Sequence, residues 1–307
     1  MASSFKSIYC DMDYYFDAYR TISEKTKCPA EHEWMAHWKS IIEKLSKSIQ
    51  PGDDIRMLAV AAGNGFFEQK IVKILANMFQ TSSVSVEIVE PAKKQLDKFK
   101  TNAQDVTNTL PNVSFKWFED NFEEYMVKRQ NNGCHHKFHL LLCINGIYYM
   151  EDWRSIIDQF YELLMPAGIM VNSINSSKSA RGILSTRYRE WEEVPGNQLT
   201  SDDITQCALM LTSDDITNYL KTKGISYHGR PRERANDITD VFDEESADGN
   251  MILDFIAQTK NFRQNAPKNL LQKVLDYLRK NSRGESGRRL ICDDEIDIVI
   301  IKSIYSL

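Results

Sequence analysis

The sequence predicts an α/β fold with a mostly parallel sheet, on three observations. From Ile55 onward, short apolar runs alternate with helix-length segments. The first run, Met57-Leu58-Ala59-Val60-Ala61-Ala62, ends in Gly63-Asn64-Gly65. The second, Val86-Glu87-Ile88-Val89, ends in Glu90-Pro91. Strands that alternate with helices are joined by right-handed crossovers and lie parallel. In such open sheets a ligand sits outside the carboxyl ends of the strands, where a glycine turn lets the backbone approach it closely. The glycine turn and Glu90 therefore point to one crevice for a nucleotide-like ligand.

Taken in order, the chain opens with Tyr9, Tyr15, Phe16 and Tyr19 at near-helical spacing, broken at Cys28-Pro29. A second helix is expected over 31–49, and Pro51-Gly52-Asp53-Asp54 separates it from the first strand. Residues 1–50 thus read as an N-terminal helical cap and 51–307 as the main domain. Strands are expected at 55–61, 84–89, 113–118, 138–144 and 167–174. Each is followed by a helix, at 65–79, 91–105, 120–129, 151–163 and 178–192. Beyond Pro195 the rhythm loosens, and substrate-side excursions are expected near 178–212 and 230–285. Thr212-Ser213-Asp214-Asp215 signals a helix over 213–222, and a short strand is expected at 225–229. Residues 230–248 have little core-forming pattern and read as a surface excursion. Helices near 249–260 and 267–281 precede a final strand, Glu295-Ile296-Asp297-Ile298-Val299-Ile300-Ile301, expected to close the sheet in an antiparallel pair.

Bulk properties exclude several classes. The 307 residues carry a formal net charge of −5, unlike the basic surface of a nucleic-acid binder. No apolar run approaches the roughly 20 residues that span a bilayer. Met1-Ala2-Ser3-Ser4 matches neither a signal peptide nor a myristoylation site. The six cysteines include no Cys-x-x-Cys pair, which fits reduced thiols and a cytoplasmic location. Cys134-His135-His136 with His139 reads as solvated loop side chains, because structural zinc wants four well-placed ligands. The acidic run 240–248 lacks calcium-loop spacing, so no metal is expected.

The cofactor is indicated by what the turn lacks. A dinucleotide fingerprint needs a third glycine where Phe66, Phe67 and Glu68 stand, and no Gly-Lys-Ser/Thr phosphate loop occurs. What remains is a strand, a glycine turn and a helix, with an acid at the end of the next strand. That arrangement suits S-adenosylmethionine, which has no phosphate to cradle. Glu90 can accept hydrogen bonds from both ribose hydroxyls.

From end to end the chain resembles histamine N-methyltransferases, small-molecule enzymes of the class I methyltransferase fold. The resemblance runs from Met1-Ala2-Ser3-Ser4 through Glu31-His32, Val89-Glu90-Pro91 with Gln95, and Asn112-Val113 with Phe115 and Trp117. It continues through Glu124-Tyr125, Tyr148-Tyr149, Thr212-Ser213 with Asp215, Asp254-Phe255, and Asn261-Phe262 before Ala266-Pro267. It implies a seven-stranded, mostly parallel Rossmann-like sheet, with the N-terminal cap forming part of a substrate site. It implies a monomer acting on a small amine, histamine or a relative, and yielding S-adenosylhomocysteine. Ala62, Gly63 and Gly65 would lie against the cofactor, with Glu90 on its ribose, Gln95 nearby, Asn121 and Phe122 at the adenine, and Ile144 at the end of the fourth strand. Glu31 falls on the family's amine-binding acid, Asn145 on a substrate-contacting glutamine and Asp293 on an asparagine near the amine.

Methyl transfer needs a neutral nitrogen lone pair held against the methyl group. Glu31 would anchor the cationic end of the acceptor, Asp293 would add a second charge, and Asn145 would orient the reacting nitrogen. Tyr15, Tyr19, Tyr148 and Tyr149 would supply flat walls and cation–π attraction. Each has a structural rival. Glu31 could be a first-turn helix acid, Asp293 a loop acid, and the cap tyrosines core residues.

The chain also departs from the family. The first two turn glycines are Ala61 and Ala62, tolerable where φ stays negative. Phe122 replaces a small residue, the 178–186 segment lacks the pocket tryptophans, and Ala208 replaces a pocket cysteine. Two alternatives stay open: a larger or more cationic acceptor, and a non-catalytic cofactor-binding protein of the same fold.

Overall fold

The computed structural model describes residues 6–47, 49–184, 187 and 211–303. Ala208, the second half of the expected 178–192 helix and Met1-Ala2-Ser3-Ser4 lie outside the described residues. The chain forms two compact units. One comprises Ala30–Ile174, Thr217–Arg230 and Asp297–Leu307, the other Met1–Pro29, Asn175–Ile216 and Pro231–Ile296. The expected cap of 1–50 is therefore shared between them, with a helix over Met12–Glu24 (α1) in the second and one over Glu31–Ile42 (α2) in the first.

The first unit is built on a seven-stranded sheet. Its strands are β1 (Asp54–Val60), β2 (Ser83–Val89), β3 (Val113–Phe118), β4 (Phe138–Ile144), β5 (Leu164–Asn175), β6 (His228–Arg232) and β7 (Glu295–Ile301), in the order β3-β2-β1-β4-β5-β7-β6. The β1–β2, β2–β3, β1–β4 and β4–β5 pairs are parallel. Main-chain bonds from Ala167 N–H to Lys302 O and from Lys302 N–H to Gly168 O bring the end of the chain back beside the start of β5, so β7 runs against it. β4 is buried along its whole length, as a central parallel strand covered on both faces must be. Helices over Phe66–Met78 (α3), Lys93–Thr109 (α4), Phe122–Asn131 (α5) and Trp153–Leu163 (α6) make the crossovers. Trp38, Ile41, Leu75, Phe99 and Val106 are among the side chains that fill the core with those of β1, β2 and β4.

The second unit has its own core, centred on the helix Ala247–Ala257 (α8 in chain order, after α7 over Ser213–Thr222). Tyr15, Ala18 and Ile22 of α1 pack with Phe255, Ile256 and Ile252 there. Asp254 ties this core together, accepting from Tyr14 Oη at 2.6 Å and from the Asn261 and Phe262 amides at 2.6 and 2.8 Å. A four-stranded antiparallel sheet orders Ser282–Glu285, Arg288–Cys292, Ala235–Asp237 and Thr26–Lys27. The stretch 230–248 expected as a surface excursion thus contributes to two strands and buries Asn236, Ile238 and Val241. Its apolar side chains lie scattered among many charges, too few to show as a pattern. The strand expected at 225–229 begins later, at His228.

The histidines at 136 and 139 are also corrected. His139 is buried inside β4 and accepts from the Arg56 amide at 3.0 Å. His136 sits 3.0 Å from Glu87 Oε1 in a network in which the Tyr125 hydroxyl also donates to Glu87 at 2.6 Å.

Candidate active site

β1 and β2 end side by side, with Val60 opposite Val89, so the glycine turn and Glu90 emerge as neighbours. The Ala61 amide donates to Val89 O at 2.9 Å. The chain then turns through Ala61 at φ 52°, Gly63 at φ 55° and Gly65 at φ 73°. The condition under which alanine is tolerable at this position, a negative φ, is not met at Ala61. Its alanine side chain is held in the left-handed region, where L-residues are strained by roughly 1–2 kcal/mol. Gly65 is required twice over, since a Cβ there would lie 2.2 Å from the ring of Phe99. Gly63 is different: an added Cβ would meet nothing within 4 Å. Its surroundings leave open space beside the turn.

Glu90 is 5% exposed, and its two oxygens are fixed by backbone. Oε2 accepts from Gly63 N–H and Oε1 from Ala92 N–H, each at 2.8 Å. Burial pushes its carboxyl above the usual range while these two amides pull it back. A carboxylate offers about four lone-pair sites, so two remain for hydroxyl donors. Small residues at 61–63, open space at Gly63 and an oriented buried acid fit a ribose-bearing cofactor.

The other cofactor-side expectations divide. Ala62 and Gln95 are buried, in the turn and in α4, and Ile144 ends β4. Asn121 caps α5: its Oδ1 accepts from Glu124 N–H at 2.8 Å, and the Glu124 carboxylate accepts in return from its amide. Phe122 is packed edge-on against Phe160, with ring centres 4.8 Å apart, which makes it a core residue. Neither use of these two side chains was read from the sequence.

Asn145 follows β4 at φ 53°, its amide bonded to Ser173 O at 2.9 Å. Ser173 Oγ in turn donates to Asp297 Oδ1 at 2.6 Å, and Asp297 Oδ2 lies 2.7 Å from His37 Nε2. This buried chain links β5, β7 and α2 behind Asn145. Tyr148 and Tyr149 meet edge to face, 4.6 Å between ring centres, with Tyr149 exposed. Glu31 stands in the first turn of α2, its side chain 71% exposed, paired with Lys70 at 2.7 Å. Hydrogen bonding to Lys70 holds its carboxyl below the usual range.

In the second unit Tyr15, Tyr19 and Asp293 belong to one cluster. Both tyrosines pack on Phe255, with ring centres 5.7 and 5.8 Å away. The Arg181 guanidinium lies 5.0 Å from the centre of the same ring. Arg181 grips Asp293 through Nε and Nη2, at 3.0 and 2.9 Å, and also donates to Asn175 Oδ1. Asp293 is therefore not the uncompensated second charge expected for an amine. Sequence reasoning missed Arg181, whose one signal is an arginine set among Ser179, Ala180, Gly182 and Ile183. It also missed Glu68. That acid is buried in the first turn of α3, and burial pushes it up to about 8.

The strand order, the glycine turn and the acid beyond β2 are together those of the class I methyltransferase fold. Among curated proteins the chain is similar to the histamine N-methyltransferase of Danio rerio, 26% identical over 305 residues, 98% of this chain and 100% of that one. It is similar to histamine N-methyltransferase A of Xenopus laevis at 25% over 309 residues, covering 99% and 100%. It is also 27% identical over 297 residues to carnosine N-methyltransferase 2 of Gallus gallus, covering 94% and 86%. No family model matches the chain. Among solved structures, the plantazolicin methyltransferase BpumL with a pentazolic analogue and SAH aligns at TM-score 0.46 and 10% identity, covering 96% of this chain and 93% of that one. No helix among the described residues is long and apolar enough to cross a membrane.

Proposed function

We propose that this chain transfers a methyl group from S-adenosylmethionine to a nitrogen of a small amine, histamine or an imidazole relative. The observation that carries the cofactor half is Glu90, locked by the Gly63 and Ala92 amides at the mouth of an open glycine turn. When bound, S-adenosylmethionine supplies an electrophilic methyl on a cationic sulfur. The protein's part is to hold and orient. Glu90 would accept the ribose hydroxyls, with Gln95 near it, and Ala62, Gly63 and Ile144 would give the close backbone and apolar contact. On the acceptor side, Asn145 orients the nitrogen as a neutral hydrogen-bond partner, leaving its lone pair for the methyl carbon. Glu31 receives a cationic end, and Tyr148 and Tyr149 give aromatic faces. The cofactor would supply the methyl for the new C–N bond as its S–methyl bond is lost, and the methylated nitrogen would give its proton to water. Orientation of this kind contributes up to roughly 7–11 kcal/mol in the best-aligned reactions.

The near-full-length similarity to histamine N-methyltransferases supports the amine. A second reading makes the acceptor an imidazole dipeptide, a molecule bearing both an ammonium and a carboxylate. One relative is named for carnosine methylation. A radiolabelled-methyl screen over histamine, polyamines, tyramine and imidazole dipeptides tests both readings. Transfer to histamine supports the first and transfer to the dipeptides alone supports the second. Transfer to none of them contradicts the proposal.

A further inference from the structure

Glu31, the acid on which the amine reading leans, already holds an ammonium. Its Oε1 accepts from Lys70 Nζ at 2.7 Å. The same Nζ stands 4.7 Å from the centre of the Phe66 ring and 5.7 Å from that of Trp34. Two helices build this arrangement by spacing alone. Glu31 and Trp34 are three apart in α2, Phe66 and Lys70 are four apart in α3, and residues at these intervals share one helix face. One carboxylate and two aromatic faces around a single cation is the chemistry by which proteins recognise ammonium groups. The cage is open to solutes, with the Glu31 side chain 71% exposed and Phe66 58% exposed.

We infer that Lys70 is a specificity-determining residue. Its ammonium occupies the cage of Glu31, Trp34 and Phe66 that receives the cationic end of the acceptor, so a cationic acceptor binds in competition with it. The inference rests on the proposed amine reading. Lys70 suits such a role because its charge sits on a flexible four-carbon stem that can swing away, whereas a planar guanidinium would hold the carboxylate in a fork. The contact is also exposed, and exposed ion pairs are weak enough for a solute to displace. An acceptor with no cationic end does not enter this competition.

Lys70→Met keeps the apolar stem against the rings and removes the charge, and Lys70→Gln serves as a second neutral variant. The full chain, saturated with S-adenosylhomocysteine, is titrated with methylammonium while the Trp34 indole N–H resonance is followed by NMR. That resonance is assigned by its loss in Trp34→Phe. The neutral variants are expected to half-saturate at about tenfold lower methylammonium than wild type, the scale of a cation–π contact added to an ion pair. Half-saturation unchanged or raised in both variants overturns the inference. Methyl transfer separates this from the amine reading. If histamine is methylated with the same KM in wild type and variants, the cage inference falls and the amine reading stands. If the variants tighten methylammonium yet no amine is methylated, the amine reading falls and the cage stands as a cation site.

Discussion

Ala61 and Gly146 stand face to face. A Cβ built on Gly146 would lie 2.5 Å from the Ala61 methyl and 3.2 Å from Cys143 Sγ. The first turn position after β1 and the loop that carries Asn145 are therefore packed on each other, and Ala61 meets that contact at φ 52°. The two sites should be energetically coupled. Ala61→Gly relieves the left-handed strain and should stabilise the chain by about 0.5–1 kcal/mol. Gly146→Ala alone should cost about 1–3 kcal/mol through overpacking. The double variant should cost clearly less than the sum, because the first change removes the atom the second would strike. Urea denaturation of the four proteins measures the coupling, and strict additivity would show that the contact is not made.

Glu68 predicts a pH dependence of stability. The folded protein holds this carboxyl at about 8 against an ordinary 4.5, burial being the main cause and Glu90 a further one. The folded state therefore keeps a proton that the unfolded state loses above 4.5. The stability this group contributes is full below that pH and declines as pH rises toward 8, by at most about 1.4 kcal/mol per pH unit. Glu68→Gln mimics the protonated acid and should remove this decline. Unfolding free energies measured at pH 5, 6, 7 and 8 should converge for the two proteins at the acid end and separate at the alkaline end, with the variant more stable. Parallel curves would contradict the burial argument.

The Arg181–Asp293 pair should behave as a buried ion pair. Asp293→Asn leaves a desolvated guanidinium with a weaker partner, and Arg181→Met leaves a buried carboxylate without its cation. Each should destabilise by about 3–5 kcal/mol, and the combination Arg181→Met with Asp293→Asn should recover much of that loss. Thermal melting of the three variants checks it. If Asp293→Asn proves neutral, the pair is not held as a charge pair.

Most of the sheet could be read directly, because five of its seven strands are apolar runs set between helices, and periodicity reports burial. That Glu90 neighbours the glycine turn was legible because consecutive parallel strands end side by side. What escaped was set by partners far away in sequence. Ala61 looked harmless because alanine gives no sign of a positive φ. Asp293 reads as an available charge until Arg181, 112 residues away, is seen to hold it. Glu31 reads the same way until Lys70 does. The stretch 230–248 hid its strands because β pairing needs backbone, not apolar side chains, and Asn236 and Asp237 supply that backbone as well as a valine would.

Whether the glycine turn and Glu90 hold S-adenosylmethionine is tested most directly by calorimetry. S-adenosylhomocysteine is titrated into the full chain and into Glu90→Ala. Saturable one-to-one binding to the unaltered chain, weakened by at least about tenfold in Glu90→Ala through loss of hydrogen bonds to a charged acceptor, is the predicted result. Absence of binding at millimolar ligand, or equal affinity in the two proteins, would contradict it.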